Sequence, residues 1–185
     1  GGASTSIDVT DAEGVLIDVI PASVSEAAGV QPGTIRVTRS DSDGPYDYVS
    51  TRSYSVTTPR TILDADTVIS TIQVPEQFST ITDVTVTLNI DHSFLGDLDI
   101  FLVSPLVTVM ENGSPVQKRI RVELFTDLIS NGRQMVATVL DGTAFESIKG
   151  ASAPYTGRFL PEGDLSNFNG IAPGGVWTLE VTDDS

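Results

Sequence analysis

Between residues 83 and 90 the chain reads DVTVTLNI. Val84, Val86, Leu88 and Ile90 alternate with Thr85, Thr87 and Asn89. An extended chain carries these two sets on opposite faces, whereas a helix scatters them around its axis. Short β-branched or alternating runs recur at 15–20, 34–39, 67–74, 98–103, 119–125, 135–140, 157–160 and 176–182. Gly, Pro, Asn, Asp and Ser clusters separate them, as turns of a sandwich or barrel require. The stretch with most helical promise, SVSEAAG at 23–29, is short and ends on glycine, so it reads as a turn. The pattern predicts an all-β fold.

With 185 residues, 39% of them hydrophobic, the chain can bury one proper core and a second small one. The sequence predicts a boundary near 57–62. Residues 1–58 hold a few strands and a Ser/Thr/Asp/Tyr-rich linker with too few apolar strands for an independent sandwich. Residues 59–185 carry the dense, regular strands. The opening Gly1-Gly2 and the unpatterned stretch before Ile7 suggest a mature or excised piece of a longer chain. No apolar run reaches bilayer-spanning length, so no membrane span is expected.

Charge narrows the partners. Ten Lys and Arg against 25 Asp and Glu give a formal charge of −15. Such a surface repels phosphate backbones and argues against nucleic acid, while its carboxylates suit hard divalent cations. Cysteine is absent, which removes disulfides, thiolate zinc sites and cysteine nucleophiles together.

The stretch NIDHSFLGDLDIFLVSP (89–105) holds the one histidine, His92, next to Ser93. Neighbours on a strand point to opposite faces, and no Gly-x-Ser-x-Gly elbow exists, so a serine triad is not expected. The residues predict an architectural histidine at a strand end, bonded to a loop. No pair of carboxylates stands out as a hydrolase couple.

From about Pro59 the chain resembles the P-domain (P/Homo B domain) of kexin- and furin-like proprotein convertases. Three stretches carry the resemblance: STIQVPEQFSTITDVTVTLNIDHSFLGDLDIFLVSP (70–105), RVELFTD (121–127) with TVLDG (138–142), and YTGRFLPEGDLSNFNGIAPGGVWTLEVTDD (155–184). It implies a jelly-roll-like antiparallel β-sandwich. It also implies a non-catalytic accessory module of a larger secreted or cell-surface protein, of bacterial style. Such a module supports a subtilisin-like serine protease or another neighbouring domain of the parent chain. More loosely, residues 15–43 resemble the opening strands of a Calx-beta module. The chain departs from the P-domain pattern in its longer 106–120 segment, in its 128–134 loop, and in stopping at Asp183-Asp184-Ser185. That stop predicts an unpaired edge and an open core face.

The resemblance also points to Ca²⁺. Asp97 and Asp99 lie on one side of an extended chain. Asp127 follows a strand and Asp141 ends another, positions at which P-domains can bind Ca²⁺, and Asp91 and Glu162 are further candidates. The same carboxylates would serve equally as solvated groups or turn caps.

Trp177, alternating with Leu179 and Val181, is the largest expected core anchor. Phe159, Leu165 and Phe168 are expected to tuck a loop onto the sheet. Asn112-Gly113 predicts a hairpin turn in a protruding 106–120 loop. Lys118-Arg119 marks an exposed dibasic site open to proteolytic nicking. The alternative function is a carbohydrate- or protein-binding adhesion module using that loop with Tyr46, Tyr48 and Tyr54.

Overall fold

The computed structural model describes residues 17–20, 24–25, 33–41, 48–56, 58–75, 80–129 and 132–184. Its strands are β1 (Ile17–Ile20), β2 (Val24–Ser25), β3 (Gly33–Asp41), β4 (Tyr48–Val56), β5 (Thr67–Val74) and β6 (Thr80–Asp91). They continue with β7 (Leu98–Val103), β8 (Val107–Glu111), β9 (Ser114–Lys118), β10 (Arg121–Phe125), β11 (Gln134–Asp141), β12 (Tyr155–Phe159) and β13 (Gly175–Asp183). Three short 3₁₀ turns, Leu95–Asp97, Ile148–Gly150 and Leu165–Phe168, are the helical elements among the described residues.

These strands build an all-β sandwich. The larger sheet runs β1-β4-β3-β6-β11-β12, with β2 also paired to β6. The smaller runs β10-β7-β13-β5, and β8 and β9 form a separate hairpin. The alternation in β6 fixes the register: Val84, Val86, Leu88 and Ile90 are all buried. Thr85 and Thr87 are buried too, because β6 lies inside its sheet between β3 and β11. Facing them, β7 supplies Leu98, Ile100 and Leu102, and β13 supplies Trp177, Leu179 and Val181. Each large apolar side chain so buried contributes about 1.5–3 kcal/mol.

Trp177 is fully buried, meets Phe168 edge-on at 5.0 Å, and donates its indole N–H to the Pro173 carbonyl at 2.8 Å. The Leu165–Phe168 turn is tied down by backbone bonds between Ile81 and Gly170 and Ile171. Gly175 sits at φ +120°, and a Cβ there would stand 2.7 Å from the Pro105 Cβ, so this position requires glycine.

β13, the last strand, is flanked by β5 from Gly175 to Thr182 and by β7 from Thr178 to Asp183, and it buries Trp177, Leu179 and Val181, while β10 and β5 stand at the edges of that sheet. The strand is interior. The N-terminal strands extend the larger sheet, β3 pairing β6 from Thr34 opposite Thr87 to Ser40 opposite Thr80. β4 falls in the stretch the sequence assigned to a linker. Tyr54 there is half-buried against the core rather than exposed, while Tyr46 and the rest of SVSEAAG beyond β2 lie outside the described residues. The 106–120 segment is a hairpin whose turn has Asn112 at φ +50° and Gly113 at φ +80°, the left-handed pair that a two-residue turn needs.

Candidate functional site: the acidic end of the sandwich

Antiparallel pairing brings the end of β6, the start of β7 and the ends of β10 and β13 to one rim of the sandwich. The loops leaving these strands are cross-tied there. The backbone N–H of Asp183 donates to the Asp66 carbonyl at 3.0 Å, and that of Asp184 to the Asp97 carbonyl at 3.1 Å.

His92 lies just inside this rim and is 3% exposed. Its Nε2 stands 3.0 Å from Oδ2 of Asp183, and its Nδ1 stands 3.0 Å from the Phe94 carbonyl. The ring therefore joins the end of β6, in one sheet, to the end of β13, in the other. Both nitrogens are engaged by groups other than Ser93. The expected bond from this histidine to a loop is present. Asp183, its carboxylate partner, was not among the sequence candidates, although it closes the alternation of β13.

The expected metal ligands divide into three situations. Asp97, Asp99 and Asp127 belong to the rim. Asp99 is half-buried, and its carboxyl is pushed above the ordinary range, first by burial and then by the negative charges of Asp184, Asp127 and Glu123, against a smaller opposing effect of Arg121. Asp127 occupies the left-handed region at φ +47°, in the turn that follows β10. Asp184 and Glu123 thus join the cluster without having been expected. Asp91 ends β6 and is half-buried opposite Gln134.

Glu162 adjoins the rim at Glu123, the Thr126 hydroxyl reaching both carboxylates, but it is already engaged. Its Oε1 receives the Lys149 ammonium at 2.6 Å, and its Oε2 accepts the Thr126 N–H at 2.8 Å. Burial pushes this carboxyl up, but the Lys149 and Thr126 hydrogen bonds outweigh it and hold the group below its usual range.

Asp141 stands apart. It pairs opposite Thr85, six residues along β6 from Asp91, a distance of roughly 20 Å at strand spacing. It is buried and fully engaged. Arg158 reaches it with Nη2 at 2.6 Å and Nε at 2.8 Å, and the Thr143 N–H and hydroxyl donate at 2.7 and 2.8 Å. This is a turn cap closed by a guanidinium, at the opposite end of β11 from the residue that faces Asp91.

Among the described residues, no group of three or more His, Asp or Glu side chains is placed to hold a metal ion as it stands. No helix among them is long and apolar enough to cross a membrane.

The fold and rim define the class as an all-β sandwich with an acidic loop end. Compared with known proteins, the chain matches no family model, no curated protein and no solved structure.

Proposed function

We propose that the chain is a non-catalytic accessory module of a larger secreted or cell-surface protein, a calcium-stabilised, jelly-roll-like sandwich similar to the P-domain. The observation that carries this reading is the use made of His92. The chain's single imidazole is buried, with Nε2 bonded across the sandwich to Asp183 and Nδ1 to the Phe94 carbonyl, a structural task in which it is not placed to activate a nucleophile. In this reading the module serves a neighbouring domain of its parent chain, a subtilisin-like serine protease being the candidate partner the resemblance suggests.

The donor chemistry of the rim supports the calcium part. Asp99, Asp127, Asp184 and Glu123 offer only oxygen ligands, and their mutual repulsion, felt at Asp99, is the kind a hard cation relieves. Asp99 and Asp127 would hold the ion, with Asp97 on the same rim. Asp141, occupied by Arg158, takes no part, and Glu162 would have to release Lys149 first. A cation here would clamp loops that no disulfide can join.

The test is a thermal melt in EDTA and across a Ca²⁺ titration, with Asp97→Ala and Asp99→Asn alongside. The reading expects a calcium-dependent rise in midpoint that both variants diminish. An identical midpoint at all calcium concentrations would remove the metal from the proposal.

A second reading, an adhesion module that binds a carbohydrate or a protein, is favoured by the hairpin β8–β9. Every residue of β9 is exposed, and Met110 on β8 is 68% exposed. A glycan array and a peptide array separate its two branches.

A further inference from the structure

The charge balance reverses beside the β8–β9 hairpin. A groove of about 440 Å³ runs between the β8–β9 hairpin and the start of β10, lined by Val109, Met110, Lys118, Arg119, Ile120 and Arg121, with Glu111 and Asn167 completing its wall. We propose that this groove binds a short acidic segment, with apolar side chains among its carboxylates, belonging to a different protein. The inference rests on the second reading above and names its ligand class.

Three of the ten basic residues of the chain meet in this groove. Two have carboxylate partners: Lys118 contacts Glu111, and Arg121 contacts Glu180 at 2.8 Å while its guanidinium covers the Phe101 ring. Arg119 does not. Its hydrogen bond goes to a neutral acceptor, the Ser104 carbonyl, at 3.1 Å, so its charge stands uncompensated at the groove wall. In a chain with a formal charge of −15, an acidic peptide is repelled by most of the surface and drawn to this spot.

Packing points the same way. A two-stranded sheet alone is marginally stable in water, and this hairpin anchors itself mainly through buried Val107 and half-buried Val109. Met110 is left exposed, as is Leu106, 57% exposed, at the base of β8. Methionine is the side chain best able to adapt to varied apolar partners. The groove volume lies in the range of sites that hold a small ligand or a few peptide side chains. A second copy of the chain is a poorer occupant, because two bodies of charge −15 repel one another.

The experiment uses the whole chain and a fluorescent octapeptide alternating aspartate with leucine, read by anisotropy at low and high salt. Expected are binding that weakens with salt and at least about a tenfold loss of affinity in Arg119→Glu. A comparable loss is expected in Met110→Asp, an exposed position where folding is not at stake. Arg133→Glu, outside the groove, should leave binding intact. Binding that ignores Arg119→Glu and Met110→Asp, or no binding, would overturn the inference. So would self-association of the native chain that Arg119→Glu abolishes, since the occupant would then be a second copy. Capture of a glycan with no peptide bound would overturn this inference while leaving the adhesion reading standing.

Discussion

Asp141 and Asp99 are both aspartates at strand boundaries of one sandwich, yet the fold treats them in opposite ways. Asp141 is buried and meets a guanidinium and two threonine donors. Asp99 is half-buried and meets chiefly other carboxylates. A carboxylate taken out of water must be given a cation and hydrogen bonds, or it becomes too costly to keep ionised. At a rim, water and salt screen like charges well enough for several to coexist. The first arrangement is finished by the chain itself; the second leaves negative charge available to something else.

The strongest way to stress this contrast lies inside the rim, at the compensated pair. His92→Ala removes the Nε2 hydrogen bond to buried Asp183 together with the packing of a buried ring and should cost about 3 kcal/mol. In a chain of this size that is a fall in Tm of roughly 6–12 °C, checked by calorimetry. Calcium gives the next largest effect. At a hundredfold excess over Kd, a bound ion would stabilise the native chain by about 2.7 kcal/mol, and Asp99→Asn or Asp127→Asn should take most of that gain away. Asp141→Asn should leave the calcium response intact. Loss of the response in that variant would erase the distinction between the two aspartates.

Without metal, Asp141→Ala deprives Arg158 and Thr143 of their acceptor and should lower stability by about 2 kcal/mol, seen as a lower urea midpoint. Asp99→Asn should act the other way, raising Tm by about a degree or two, because the site is partly exposed and its repulsion screened.

The smallest effects are in the pH dependence. Asp99 has a folded-state pKa raised above its unfolded value, so the folded chain binds that proton more readily. Its repulsive penalty is present above the raised pKa and relieved as pH falls through it toward the unfolded value. The advantage of Asp99→Asn should therefore shrink on acidification. Glu162 is opposite in sign. Its depressed pKa means a stabilising contribution present above the unfolded value and lost as pH falls through the folded one. Glu162→Gln should thus be destabilising at neutral pH and nearly neutral in acid, as Tm measured from pH 7 downward would report.

Much of this architecture is legible in the one-dimensional pattern. The runs at 67–74 and 98–103 coincide with β5 and β7, and those at 83–90, 135–140 and 176–182 fall within β6, β11 and β13. Asn112-Gly113 marks its turn, and Trp177 its place in the core, because alternation, left-handed turn residues and aromatic bulk act locally or through burial alone. β4 escaped notice because its apolar face is made of Tyr54 and Val56 amid Ser, Thr and Arg, although Tyr, Thr and Val favour strands.

The acidic candidates show the other limit. The sequence supplies Asp97, Asp99 and Asp127 at strand ends, but it does not contain the fact that Arg158 closes on Asp141 or Lys149 on Glu162. Nor does it contain the meeting of His92 with Asp183, 91 residues apart. Local period and turn chemistry are properties of neighbouring residues, so the sequence by itself determined the all-β class and most strands. Which charges are paired depends on sheet register and on which strand ends share a rim, and only the tertiary structure decided that.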